Sequence, residues 1–466
     1  MRSATSVLGV KKLTLPGSKS ITNRNLILAS LNNGKTKLSG ILVSDDTRFM
    51  INALKDLGIE IENNGTEVII NGGVEKLKGD EQEIYLGQSG TCMRFLPALA
   101  CLMKKGQVTF SGDERLMERP MEALIDGIKQ LGINIEAREN IFPPVIINKN
   151  SLSTEGFSPL IKMDGTVSSQ FFTALMNIGG FIKGGLEIEV IGDLVSKPYI
   201  DMTIFELDNF GIEVENNDYK SFKILEKKVR NENFHSLQNN NINIEGDASA
   251  LSYIANYIVL HGGRIEIQNL GESTKQGDYK YLEILKKDFG LLYESNGGKT
   301  ILKCGGIEKN SPLLQRRGAG GEVFNFEDMP DISMSFMSLA IFLPGNTKIT
   351  GLKTLNLKEC KRIDVMRDEL RKLGVEVESD EESIIIGEYK SFFLYLEKRE
   401  MPERQSELLK GKINIETYDD HRIAMTFGVL KTYLEKEYKE KIKILNPDCV
   451  NKTYPNFWED LDYLSK

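Results

Sequence analysis

Five stretches of this chain follow one plan, and that plan limits the fold more than any other feature. "NALKDLGIEIENNGTEVII" ends near Ile70, "LIDGIKQLGINIEARENIFPPVII" near Ile147 and "IFELDNFGIEVENNDYKSFKIL" near Leu225. "LEILKKDFGLLYESNGGKTIL" ends near Leu302 and "MRDELRKLGVEVESDEESIII" near Ile386. Each reads as an amphipathic helix, a glycine, and two short alternating strands joined by a polar turn. Gly58, Gly132, Gly211, Gly290 and Gly374 suit the position just past a helix end, where a positive φ is cheap only without a side chain. The alternation that follows suits half-buried strands. The glycines stand 74 to 84 residues apart, too long for a solenoid repeat and right for a small α/β subdomain. A helix–glycine–strand run is common in any α/β protein, but five copies in order weigh against coincidence.

A sixth copy is expected across the termini. The C-terminal "YPNFWEDLDYLSK" is a helix without strands after it, and the N-terminal "VKKLTLPG" is a strand without a helix before it. Joined in space they complete a sixth unit, which puts the N-terminal strand with the C-terminal half. The Asn-rich stretch at 231–241 reads as the second crossing. The expected organisation is two domains of three units each, residues 19–240 and residues 1–18 plus 241–466, with two chain crossings.

The formal net charge is −8 and the pI near 5.4, which argues against a broad nucleic-acid-binding face. The five cysteines form no CxxC pair and the three histidines lack ligand spacing, so reduced thiols and no histidine-rich metal site are expected. With no apolar run of spanning length and no apolar leader, a soluble cytoplasmic protein is expected.

Polar clusters fall just before helical runs: "GSKSITNR" (17–24), "LGQSGTCMR" (86–94), "GTVSSQFF" (165–172), "EGDASALSY" (245–253), "MPDISMSF" (329–336) and "YDDHRIAM" (418–425). Ser, Thr and Asp are ordinary N-caps, and capping accounts for most of these residues. It does not account for Arg24, Arg94 and Arg422, because a cation in a first turn opposes the helix dipole. An anion bound there would explain them, since helix N-termini offer free N–H groups and Arg adds a bidentate fork. "PGSKS" lacks the order of a Walker loop, and "NNGKT" has Ala29 where that loop needs its first Gly. "RRGAGGEV" lacks the GxGxxG frame.

These motifs together resemble the 5-enolpyruvylshikimate-3-phosphate synthase family. The resemblance runs from "LPGSKSITNR" to "NKTYPNFWEDL" through "LGQSGTCMRFLPAL", "GDERLMERPM", "SSQFFTALM", "DLVSKPYIDMT", "EGDAS", "MPDISM", "KECKRIDVMRDELRKLG" and "TYDDHRIAM". It implies two inside-out α/β domains, each of three βαβαββ units, with the active site in the cleft between them. It also implies transfer of the enolpyruvyl group of phosphoenolpyruvate to the 5-hydroxyl of shikimate 3-phosphate by a monomer that needs no cofactor or metal.

Carried over by motif, Lys19 touches both substrates. Ser20, Arg24, Ser168, Ser169, Gln170, Ser196, Tyr199 and Lys358 belong to shikimate 3-phosphate. Gly90, Arg119, Gln170, Arg362, Arg422 and Lys452 belong to phosphoenolpyruvate. Asp331 is the base at the 5-hydroxyl, where it also contacts shikimate 3-phosphate, and Glu359 protonates the methylene carbon. The residue types suit the chemistry: polyanionic substrates need cations gathered in one cleft, and two carboxylates in different surroundings can divide acid and base work. Without the resemblance, Lys358, Glu359 and Arg362 read as a solvated helix face, Asp331 as an N-cap, and Tyr199 as core.

Phe95 stands where the family usually has Pro, Lys361 where an acidic residue is frequent, and Thr354 where many members have Asn. The segment 388–412 is longer than expected and reads as a surface insertion. The related UDP-N-acetylglucosamine enolpyruvyl transferases carry a Cys in the loop that reads "GDERLMERP" here. A non-catalytic protein of the same fold would have no need of Lys19, Arg119, Asp331, Glu359 and Arg422 together.

Overall fold

The computed structural model describes residues 10–149, 160–228, 241–307, 322–389 and 412–466. Within these, five four-stranded sheets and one two-stranded sheet repeat a single pattern. In each four-stranded sheet two strands run parallel, and an antiparallel hairpin completes the other side. In the second unit, for example, Gln82–Tyr85 pairs in parallel with Gln107–Ser111, which pairs antiparallel with Phe142–Asn148, itself flanked by Asn134–Arg138. The five predicted glycines all have positive φ, from 71° at Gly290 to 94° at Gly58. At Gly58 a Cβ would also sit 2.7 Å from the Lys76 carbonyl oxygen, so both the backbone and the space require glycine.

Each unit has two kinds of helix. The helix before each glycine is amphipathic and lies outside, as in Glu122–Gln130. The other is central: Lys19–Leu31, Gly90–Ala100, Ser169–Gly179, Ala248–His261, Ser333–Ala340 and His421–Tyr438. Ala248–His261 is buried at every position from Ala248 to Leu260, as expected of a helix without a polar face. Two cores result. One collects Ile21 to Ile244, the other Leu13, Leu15 and Ala248 to Leu464. They define a first and a second lobe, with sheets outside and helices within. No helix of the described residues is long and apolar enough to cross a membrane.

Two expectations need correction. The N-terminal strand Lys11–Leu13 does not complete the sixth unit. It pairs in parallel with Gly263–Ile267, in the sheet of the Gly290 unit, while the sixth sheet contains only Ile413–Ile415 and Ile442–Ile444. Conversely, Asn241–Asn243, expected in the second half, pairs with Gly34–Ser39 of the first lobe. The units that begin each lobe have therefore exchanged their first strands. The chain crosses at Pro16–Ser18 and again at Ile244–Asp247, where the two passes lie side by side. Ser18 N–H donates to Glu245 O at 2.9 Å and Asp247 N–H to Pro16 O at 2.9 Å. Most of the Asn-rich stretch, the Gly-rich run up to Gly321, and the 388–412 segment from Lys390 to Gly411 lie outside the described residues.

His261 closes one central helix. Its ring stacks on Tyr257 at 4.3 Å and meets Thr432 Oγ1 at 2.9 Å. Burial, helped by Lys436, pushes its pKa down to about 4. The folded state therefore binds this proton less readily than the unfolded state, and stability falls as pH drops from about 6.5 toward 4. Urea unfolding at pH 7 and pH 5 should show His261→Gln losing roughly 1–2 kcal/mol less than the wild type. Equal losses would mean that the ring titrates normally.

Candidate active site

The central helices point their N-termini at the cleft between the lobes, and the polar clusters stand there. Ser18, Ser89, Ser168 and Asp420 accept bonds from first-turn N–H groups, so capping is real at these sites. Between these ends lie two carboxylates ringed by cations.

Asp331 takes Arg362 Nη1 at 3.0 Å and Lys358 Nζ at 3.6 Å on Oδ1, and Arg422 Nη2 at 3.0 Å on Oδ2. It lies in a 3₁₀ turn and makes no side-chain cap, so the capping reading fails. Burial would push its carboxyl up, but Arg422, Lys358 and Arg362 outweigh burial and hold it well below the usual range. Glu359 takes Arg362 Nη2 at 2.6 Å and Lys452 Nζ at 3.0 Å. Burial again opposes ionisation, and Lys452, Arg362 and Arg119 overcome it. Lys358, Glu359 and Arg362 are thus no solvated face: Arg362 is 1% exposed, and the helix begins only at Arg362.

Arg362 is the hub of the second lobe. Besides Asp331 and Glu359 it holds Asp420, with Nε to Oδ2 at 2.7 Å and Nη2 to Oδ1 at 3.3 Å. Three carboxylates surround one guanidinium, which raises its pKa despite burial. Lys452 also reaches the Gln88 carbonyl of the first lobe at 3.4 Å.

The first lobe supplies cations with few partners. Lys19 meets the buried Asp46 at 3.5 Å. Arg94 and Arg119 flank Gly90 so closely that a Cβ there would lie 2.6 Å from Arg119 Nη1 and 2.9 Å from Arg94 Nη1. Both leave Nε unpartnered, and neither has an ion-pair partner among the described residues. Arg94 donates to Gly90 O at 3.1 Å and Gln170 Oε1 at 2.9 Å. Burial lowers its pKa to about 10, with Arg119 adding to the effect. Two neighbouring guanidiniums withdrawn from water cannot shed their charge and are poised for an anion.

Arg24 is different. Its Nε donates to Thr203 Oγ1, Nη1 to Ser20 O, and Nη2 to Thr173 Oγ1 and Tyr199 O, at 2.8–3.3 Å. The protein itself uses most of its donors. It also faces the Phe95 ring at 5.9 Å, so Phe95 is a buried platform beneath Arg24. Ser20 shares the Arg24 helix face as the spacing implies. Ser168, Gln170, Thr354 and Lys358 line a small open pocket with Arg94 and Leu357, beside the buried Ser169. Ser196 adopts positive φ and donates across the cleft to Glu327 O at 3.5 Å. Tyr199 is half-buried against the first core, and burial, with Asp278 and Asp331 nearby, raises its phenol.

Four groups escaped the sequence reading as site members. Arg94 was visible as a misplaced cation but had no partner to name. Asp46 stood outside the polar clusters and pairs with Lys19, while Asp420 is a helix cap as well as the bidentate partner of Arg362. His421 is fully buried, and neither ring nitrogen has a hydrogen-bond partner, Nδ1 standing 3.9 Å from Asp420 Oδ1. Burial lowers its pKa well below the usual histidine range against the pull of Glu359.

The tight fit at Gly90 yields a prediction. In Gly90→Ala the methyl group must displace Arg119 or Arg94, and both are flexible side-chain ends. The variant should fold normally and bind a small phosphate- and carboxylate-bearing anion about 10- to 100-fold more weakly, since each 1.4 kcal/mol is tenfold. Unchanged binding in a titration would show that the Arg94–Arg119 pair is not an anion site.

The sequence profile of EPSP synthase (3-phosphoshikimate 1-carboxyvinyltransferase) matches residues 9–461. A 3-phosphoshikimate 1-carboxyvinyltransferase of Mannheimia haemolytica is 35% identical over 461 residues, covering 97% of this chain and 96% of the relative. One from Colwellia psychrerythraea is 35% identical over 459 residues, with 97% and 96% covered. The solved EPSP synthase of Acinetobacter baumannii superposes with a TM-score of 0.68 at 24% identity over 98% of this chain and 96% of that one, a likeness of fold. With its repeated α/β units, its ring of cations and a match over nearly the whole chain, this chain belongs to the EPSP synthase (3-phosphoshikimate 1-carboxyvinyltransferase) family.

Proposed function

We propose that this protein transfers the enolpyruvyl group of phosphoenolpyruvate to the 5-hydroxyl of shikimate 3-phosphate and releases phosphate. One observation carries the reading: an acidic chain gathers Lys19, Arg94, Arg119, Lys358, Arg362, Arg422 and Lys452 around two buried carboxylates in one cleft. Two substrates with a phosphate and a carboxylate each would use that many cations.

Ser168, Ser169, Ser196 and Gln170 take the phosphate and ring of shikimate 3-phosphate, with Ser20, Tyr199 and Lys358. Arg24 orders that side through Tyr199 and Ser20. Arg119, Arg422 and Lys452, with the Gly90 backbone, take phosphoenolpyruvate, and Arg94 joins them. Arg362 acts mainly by orienting Asp331 and Glu359. Lys19 lies where the chain crosses between lobes and reaches both substrates. Shikimate 3-phosphate and phosphoenolpyruvate are the only partners required, and the protein works as a monomer in the cytoplasm. The lobes divide at the crossing segments 16–18 and 244–247.

The reaction runs in two steps. Glu359 gives a proton to the methylene carbon while Asp331 takes one from the 5-hydroxyl, and the oxygen adds to the central carbon. The adduct then loses phosphate, and Glu359, ionised by the first step, takes a proton from the new methyl group to restore the double bond. Glu359 is ionised without substrate. Anionic substrates draw on Lys452 and Arg119 and so raise its pKa, which loads the proton donor only when both are bound. Turnover in D₂O should therefore place deuterium in the product's methylene group. A product free of deuterium would contradict addition followed by elimination.

A further inference from the structure

Arg115 lies in the short helix Glu114–Met117 of the first lobe, and the family motif gives it no role. Its near neighbour Glu118, three residues on, forms a surface ion pair with it. The structure sends its other nitrogens elsewhere. Nε donates to Glu359 O at 3.1 Å and Nη2 to Lys358 O at 3.2 Å, while Nη1 is held by Glu118 Oε2 at 3.0 Å. One planar fork thus binds two successive carbonyls of the opposite lobe, a geometry that Arg can hold and Lys cannot.

Those carbonyls belong to a segment with little support of its own. Lys358 ends the 3₁₀ turn Leu355–Leu357 in an extended conformation, and the next helix starts at Arg362. Residues 358–361 therefore lack a helical ladder. Their side chains point to the charge cluster: Lys358 to Asp331, Glu359 to Arg362 and Lys452. Arg115 grips the backbone from outside while the charge cluster grips the side chains from inside. The grip exists only while the lobes touch. Gln88 Nε2 to Asp419 Oδ2 at 2.6 Å joins the lobes as well, beside the Lys452 and Ser196 contacts described above.

We propose that Arg115 is a positioning residue for the transfer: it locks the Lys358–Glu359 backbone in place when the lobes close. This rests on the function proposed above, in which Glu359 is the proton donor. Arg115 touches neither substrate, so its loss should misplace Glu359 rather than weaken binding.

The test compares wild type, Arg115→Ala and Arg115→Lys by phosphate release, thermal unfolding and X-ray scattering without substrate. Arg115→Ala should lose about tenfold in kcat, the scale of losing hydrogen bonds from a charged donor at a partly exposed site, with both KM values within about threefold. Arg115→Lys should recover part of the loss, since an ammonium can still reach one carbonyl. The unfolding midpoint should hold, and scattering should show Arg115→Ala more extended than wild type. Wild-type kcat in Arg115→Ala would overturn the proposal. So would a loss matched by a lowered midpoint and not rescued by Lys. If the wild type itself releases no phosphate, the proposed function fails instead. Scattering then decides the contact, and identical profiles overturn it.

Discussion

Asp331→Asn is expected to lower kcat by about a thousandfold in a protein that stays folded, within the range for removing a general base. The carboxylate does two jobs. It is the only group in the cluster placed to bridge Arg362, Arg422 and Lys358, and it is the base proposed for the 5-hydroxyl. Asn keeps the shape and one acceptor oxygen but removes the charge and the basicity. In the free enzyme the three cations hold Asp331 well below the ordinary carboxylate range, which would make it a feeble base. Substrate phosphate and carboxylate groups compete for Arg422 and Lys358, so the carboxyl rises when the site fills. Arg362 keeps Asp420 and Glu359 as partners, which is why the fold should survive. A kcat within about tenfold of wild type would remove Asp331 from the chemistry.

Glu359→Gln should cost about 10²- to 10⁴-fold in kcat, because an amide has no proton to give to carbon. Gln keeps one acceptor oxygen, for Arg362 or Lys452 but not both, and the site's other cations remain, so binding should change less than turnover. Proton uptake on binding is a second signature. On the proposed mechanism, Glu359 is ionised when the site is empty and protonated when it is full, so binding both substrates should take up a proton. Calorimetry in buffers of different ionisation enthalpy should register that uptake, and Glu359→Gln should lose most of it. Unaltered uptake in the variant would assign the proton to another group, such as His421 beside it.

The repeat was legible because its glycines answer a backbone demand that no other residue meets cheaply. The exchange of first strands was not. "KKL" and "NIN" are three-residue edge strands, too short for a hydrophobic pattern to choose a partner, and their pairing is parallel and distant in sequence. The site was partly legible. Cations near helix N-termini pointed to the anion-binding cleft, and Arg422 and Arg94 stand there, although only Arg422 lies in a first turn and Arg94 and Arg24 fall in the second. Arg24 followed the same signal yet spends its donors on Thr203, Thr173, Ser20 and Tyr199. Spacing locates a cation but not what it binds. Arg115 was hidden for the converse reason, since its carbonyl partners lie more than 240 residues away.

The most direct test of the central claim is phosphate release from phosphoenolpyruvate by the purified protein, with shikimate 3-phosphate or UDP-N-acetylglucosamine as acceptor in parallel. Release with shikimate 3-phosphate alone is the predicted result. Release with the nucleotide sugar alone, or with neither from a folded protein, would contradict it.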